Sequence, residues 1–207
     1  MRIGIIGAGQ IGRTLTALLV QAGHDVWVAN SRGPRSLTGL LAPLGAHAHA
    51  ATVADTARTG ELVVVSVPVR AYQDLPADLL AGKVVIDTGN YDPGRDGPIP
   101  ELDEGRTTGT ELLAALLPDS RVVKMFNTIF YEHLRDQGQP AGSPGRRALP
   151  MTGDDTEAKA TVAALVDQIG FDTVDAGPLE ASHHIGRGTP AFDVRLDAKQ
   201  LRTALEL

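Results

Sequence analysis

Cysteine is absent from the 207 residues, so disulfides, zinc–thiolate sites, iron–sulfur clusters and thiol nucleophiles are excluded. Aromatic side chains are scarce, at 4%, which leaves the core to Ala, Val, Leu and Ile. No apolar run approaches the roughly 18 residues of a membrane span. Positive charge is not in excess: 19 Lys and Arg stand against 25 Asp and Glu, a net charge of −6. Neither a nucleic acid nor an anionic membrane surface is therefore the expected partner. The first apolar segment begins at residue 2, which predicts no signal peptide and a soluble cytoplasmic protein. Glycine is plentiful, and its placement carries the first functional signal.

That signal occupies residues 3–12. Ile3, Ile5 and Ile6 predict a short buried strand, and a helical pattern starts at Gln10. Between and within them, Gly7, Gly9 and Gly12 spell G-x-G-x-x-G. In a dinucleotide site the first glycine makes the tight turn, the second lets backbone approach a pyrophosphate, and the third lets helix pack on strand. The free N–H groups and dipole of the helix start suit phosphate. Gly7, Ala8, Gly9, Gln10, Ile11 and Gly12 are the first candidate cofactor-binding residues.

Beyond them strands and helices alternate. Ile11, Leu15, Leu18, Leu19 and Ala22 fall on one helical face, and Gly23 ends that helix. Strands are predicted at 25–29, 46–50, 62–67, 83–87, 121–126, 148–152 and 171–175. Helices are predicted at 34–44, 53–58, 108–117, 154–169 and from Asp197 onward, with capping boxes at Thr108/Glu111 and Asp154/Glu157. Residues 91–106 and 137–147 read as loops, the second a mobile one. This pattern predicts an α/β fold: a Rossmann-type, doubly wound, mostly parallel sheet. Residues 1–130 form the dinucleotide-binding part. Residues 131–207 form a small C-terminal α/β part packed on it, functionally one unit with it.

Ligands of such sheets bind at the carboxyl ends of the strands. After the second strand an NAD site would place Asp or Glu. This chain places Asn30, Ser31 and Arg32, with Arg35 close behind. A hydroxyl and two guanidinium groups suit a 2′-phosphate, so NADP(H) is expected over NAD. Three further strand ends converge: Ser66, Val67 and Pro68; Asn90 after Gly89; and Asn127. The two asparagines can each donate and accept, which suits a carboxamide or a ribose.

No catalytic acid or base stands out. There is no Tyr-x-x-x-Lys pair. Lys124 is the nearest lysine, but it lies within a strand. His24 reads as a surface histidine. His47 and His49 share a strand face without a third ligand in view, and His183 and His184 would point apart, so no metal site is expected. A NADP site without a proton-transfer group suits an acceptor that takes hydride itself, as flavin-type rings do; the protein then supplies positioning. Two alternatives stay open: a reductase of another small substrate such as an imine or quinone, and a non-catalytic NADPH-binding sensor or scaffold.

Several stretches together resemble the NADPH-dependent coenzyme F420 reductases (F420H2:NADP oxidoreductases). They are residues 3–12, Asn30-Ser31-Arg32-Gly33-Pro34, Asp87-Thr88-Gly89-Asn90, Lys124-Met125-Phe126-Asn127-Thr128, and Asp175-Ala176-Gly177-Pro178-Leu179. The resemblance covers nearly the whole chain. It implies hydride passing directly between C4 of NADPH and C5 of the deazaflavin. It also implies Ser31, Arg32 and Arg35 on the 2′-phosphate, and Ser66 to Pro68, Asn90 and Asn127 around the nicotinamide. The C-terminal part would help cover the deazaflavin, and a homodimer is the family's expectation. Ser182-His183-His184 stands where relatives carry a bulkier stretch, and Met125 where a smaller residue is common. That wall is expected to touch the hydride partner.

Overall fold

The computed structural model describes residues 1–207. Eight strands form one sheet: β1 (Arg2–Ile6), β2 (Asp25–Ala29), β3 (Ala48–Ala50), β4 (Leu62–Val65), β5 (Val84–Asp87), β6 (Arg121–Lys124), β7 (Ala148–Gly153) and β8 (Asp172–Asp175). Their order across the sheet is β3-β2-β1-β4-β5-β6-β7-β8. The first six run parallel, β7 meets β6 antiparallel, and β8 is parallel to β7. The expected doubly wound, mostly parallel sheet is thus present. Residues 131–207 extend the same sheet by two strands.

Alternation within a strand divides the core in two. Leu62 and Val64 of β4 join a cluster with Ile3, Ile5, Val26, Val84 and Ile86. Val63 and Val65 face the other way, into a cluster with Ile6, Val85 and Val122. Successive side chains of a strand point to opposite faces, so a run apolar at every position needs cover on both. On the first face the cover is α1 (Gln10–Gln21), through Leu15 and Leu19, and a long C-terminal helix (Thr156–Gln168), through Ala158, Val162, Leu165 and Val166. On the second it includes the helix Gly109–Leu116, through Leu113.

The ends of these helices follow from side-chain chemistry. Thr108 and Glu111 form the predicted capping box: Glu111 N–H donates to Thr108 Oγ1 at 3.2 Å, and Thr108 N–H to Glu111 Oε2 at 2.8 Å. The Thr156–Gln168 helix starts one residue later than its sequence suggests. Asp155, not Asp154, is its cap, accepting from Ala158 N–H at 2.8 Å. Asp154 instead accepts from Leu179 N–H at 2.9 Å and ties down the following segment. Two adjacent aspartates offered the same cap, and the tertiary contact decided between them. Lys83 closes the helix Val53–Thr59, donating through Nζ to the carbonyls of Ala57, Arg58 and Gly60 at 2.6–2.9 Å. A cation at a helix C-terminus is favoured by the free carbonyls and the dipole.

Other expectations are corrected at segment ends. The helix expected over 34–44 is three short turns, because Pro34 and Pro43 sit at the starts of 3₁₀ turns. Loop 91–106 holds two single-turn helices, Pro93–Asp96 and Pro100–Asp103. Strand β6 stops at Lys124, and Phe126 takes a left-handed conformation at φ 64° while 1% exposed. A bulky residue pays roughly 1–2 kcal/mol for that backbone, and burial of its ring holds it there. His24 is buried rather than superficial, with Nε2 at 2.8 Å from Gln168 Oε1.

A buried carboxylate lies at the end of β5. Asp87 is fully buried. Its Oδ1 accepts from Tyr72 Oη at 2.6 Å and Gly89 N–H at 2.8 Å, and its Oδ2 from Thr110 Oγ1 at 2.7 Å and Lys124 Nζ at 2.9 Å. Burial, then the neighbouring Asp87 charge, push the Tyr72 phenol well above its ordinary pKa, so it stays a donor. Removing one partner of a buried ion pair typically costs ~3–5 kcal/mol. The three donors that remain on Asp87 place Lys124→Met near the lower end, at about 3 kcal/mol. Urea denaturation should measure that loss, and a loss below about 1 kcal/mol would show the pair to be incidental.

Candidate functional site

The carboxyl ends of the parallel strands make one rim. Each strand's follower still bonds to its neighbour: Gly7 N–H to Ala29 O, Ser66 N–H to Ile6 O, Thr88 N–H to Val65 O and Met125 N–H to Asp87 O, all at 2.8–3.1 Å. The rim therefore steps in order from Asn30 through Gly7, Ser66 and Thr88 to Met125, about 4.8 Å per strand.

Backbone crowding at the start of α1 shapes the first part of the rim. Gly7 has φ 114°, and a Cβ on it would lie 2.1 Å from Ser66 O. A Cβ on Gly12 would lie 1.9 Å from Gly7 O. Gly9 differs: nothing lies within 4 Å of the position its Cβ would take. Two of the motif's glycines thus serve packing, and the third leaves open space at the helix N-terminus.

That space belongs to a cleft of about 690 Å³ over the ends of β2, β1 and β4. Of the residues singled out in sequence, Gly7, Ala8, Gly9, Asn30, Ser31, Arg32, Ser66, Val67 and Pro68 line it together. Gln10, Ile11 and Gly12 lie in the first turn of α1 without lining it, and Arg35 is exposed outside it. Asn30 organises its loop: its Oδ1 accepts from Arg32 N–H at 3.0 Å, and its Nδ2 donates to Ser36 Oγ at 2.9 Å. The Arg32 guanidinium makes no hydrogen bond to protein. Two further arginines, Arg13 and Arg70, line the same cleft, against a single carboxylate, Asp74. Sequence reasoning missed both. Arg13 could have been found one residue after the glycine motif, one turn along the helix. Arg70 sits on a 3₁₀ turn (Val69–Asp74) that no periodicity announced. The cleft fits an extended ligand carrying several phosphate charges.

Asn90 and Asn127 do not line this cleft. They meet each other, with Asn90 Nδ2 donating to Asn127 O at 2.7 Å. Both stand in the wall of a second cavity of about 260 Å³ at the ends of β5 and β6. Thr107, Thr108, Lys124, Ser182, His183 and Arg187 share that wall, and it contains no carboxylate. Lys124 is therefore more than a strand residue: its buried Nζ bonds Asp87 and Gly89 O, and the residue lines the cavity. Ser182 and His183, which the family resemblance puts in a wall, line this cavity, and Ser182 Oγ donates to Thr108 Oγ1 at 2.9 Å. His183 and His184 do not point apart, because a 3₁₀ turn brings their rings to 3.8 Å between centroids. Met125 is fully buried in the main core and lies off the wall. His47 and His49 both approach Asp25, at 2.8 and 3.7 Å, on the far edge of the sheet.

Comparison with known proteins adds a family and relatives. Residues 2–91 match the family described as NADP oxidoreductase, coenzyme F420-dependent. A hypothetical protein of Sinorhizobium meliloti, SMa0349, has a structure 31% identical in sequence, with a TM-score of 0.82 and 95% of each chain covered. A candidate F420-dependent NADP-reductase of Arthrobacter sp. FB24 is 29% identical with a TM-score of 0.74, covering 88% of this chain and 87% of that one. The rat metalloreductase STEAP3 is 32% identical over 186 residues, 89% of this chain. The chain spans only 35% of that relative's length.

The two classes of glycine can be separated by substitution. Gly9→Val should fold with nearly unchanged stability in thermal unfolding, yet lose dinucleotide binding in a fluorescence titration. Gly12→Val should lose the fold itself, because its Cβ would overlap the Gly7 carbonyl. Unimpaired binding by Gly9→Val would show that the ligand does not approach the helix start.

Proposed function

Because this chain belongs to the coenzyme F420-dependent NADP oxidoreductase family, we propose that it binds NADP(H) in the cleft over β2, β1 and β4. The partner for hydride exchange is a deazaflavin such as coenzyme F420, or a flavin-type ring, at the ends of β5 and β6. The observation that carries this reading is the charge of the cleft. Arg32 offers a guanidinium with no protein partner, beside Ser31 and with no acidic residue between Asn30 and Arg35. Such a corner takes the 2′-phosphate and would gain nothing from a bare 2′-hydroxyl. The open N-terminus of α1 at Gly9 takes the pyrophosphate, with Arg13 at its side.

The bound nicotinamide supplies the hydride, and the chain's contribution is placement. Ser66, Val67 and Pro68 hold the end of the cleft nearest β5. Pro68 fixes the backbone there and leaves no N–H to satisfy. Asn90 and Asn127 belong to the wall of the second cavity, and in this reading two ligands laid along the rim meet at the β4–β5 step. No side chain needs to take a proton from the reacting carbon, in keeping with a ring that accepts hydride directly. Alignment of two flat rings in a shared groove is the rate-enhancing device.

Loss of one charge-assisted hydrogen bond costs about 1.5–3 kcal/mol. Arg32→Ala should therefore weaken NADPH about ten- to a hundredfold and leave NADH nearly unchanged, as read by titrating cofactor fluorescence. An equal loss for both cofactors would overturn the assignment to NADP.

A further inference from the structure

The wall of the second cavity includes a residue with an unpaired acceptor. Asn127 is 4% exposed. Its Nδ2 donates to Ile185 O at 2.7 Å and lies 3.4 Å from Asn90 Oδ1. Two acceptors around one amide atom fix which way the amide points, so the other atom is the carbonyl oxygen. That Oδ1 is buried and has no hydrogen-bond partner. Buried acceptors are almost always paired, and an exception calls for a donor from elsewhere.

Lys124 adds a complementary group on the same wall. An ammonium has three N–H donors. Two of them go to Asp87 Oδ2 and Gly89 O, which leaves one. The wall thus offers one unfilled acceptor and the third N–H of a lysine whose other two bonds hold it in place, with Arg187, tied to Asp92, as a second cation.

Resting on the hydride-acceptor reading above, we propose that this cavity recognises the imide edge of the acceptor ring. The ring's N3–H donates to Asn127 Oδ1, and a flanking ring carbonyl accepts from Lys124 Nζ. Flavins and deazaflavins share that C(=O)–NH–C(=O) edge, so the pocket selects the class of ring. At about 260 Å³, it has room for the end of a tricyclic ring. Lys124 also favours the extra electron density that this edge carries in the reduced ring. The other donor that could reach Asn127 Oδ1 is the carboxamide of the nicotinamide.

Methylating N3 of the ring separates these cases. The full chain, saturated with NADP+, is titrated with lumiflavin and with N3-methyllumiflavin, following ring fluorescence. Lumiflavin should bind about tenfold or more tightly than its N3-methyl derivative. In Asn127→Leu the two should bind alike, with NADP+ affinity unchanged. Equal binding of the two rings to the unaltered protein, or binding of neither, would overturn the proposal. So would a loss of NADP+ affinity in Asn127→Leu, which would assign the oxygen to the carboxamide. If that variant fails to fold, the methylation comparison on the unaltered chain decides alone. The underlying function is judged separately, by NADPH oxidation with 5-deazariboflavin. Turnover without N3 discrimination would keep the function and remove the pocket.

Discussion

At the end of β1 three backbone segments meet with no room for a side chain. The Gly7 turn passes beside the Ser66 carbonyl, and the first turn of α1 presses Gly12 onto the Gly7 carbonyl. This contact seats the helix directly above the strand end, so its free N–H groups open onto the rim. It also pulls the ends of β1 and β4 together, which fixes the floor of the cleft. Everything that follows along the rim is placed by ordinary sheet spacing from that point. Any Cβ at Gly7 or Gly12 would separate helix from sheet and move the N-terminus of α1 away from Ser66 and Pro68.

The rim divides by charge and by depth. Its β2–β1–β4 portion is broad, open and basic, with Arg13, Arg32 and Arg70 at its edges. Its β5–β6 portion is small and held by a buried network centred on Asp87. An open basic cleft suits a long polyanion that must enter and leave. A small pocket behind fixed donors suits the end of a rigid ring. The buried network costs desolvation, and it makes Lys124 and the Gly89–Asn90 turn rigid. Catalysis by alignment depends on such rigidity, since small displacements of two reacting rings lower the rate steeply.

Much of this was legible in the sequence, and the parts that were not have physical causes. Strand cores such as Leu62 to Val65 are legible because burial on both faces leaves a continuous apolar run. The glycine motif is legible because two backbone contacts forbid a Cβ at Gly7 and Gly12, and open space lies before Gly9 between them. The place of Arg32 in the cleft is legible because the residues after β2 lie at the carboxyl end of the sheet, where such folds open their cleft. The short turns carrying Arg70 and His183 were not legible, since single 3₁₀ turns have no period to read. The Asp87–Lys124 pair was hidden too: its members are 37 residues apart and meet only through the pairing of β5 with β6. The choice of Asp155 over Asp154 as a cap depended on a tertiary contact to Leu179. Met125 is the converse case: the resemblance puts it on the wall facing the hydride partner, and the fold buries it in the main core instead.

The central claim is direct passage of hydrogen between two rings aligned along one rim. The most direct measurement uses NADPH deuterated at C4, in turn on each face, with 5-deazariboflavin as acceptor and mass spectrometry of the product ring. The account predicts that one of the two labelled forms delivers its deuterium to C5 of the product without dilution by solvent. Product ring carrying only solvent hydrogen from both labelled forms, or no reduced ring at all, would contradict it.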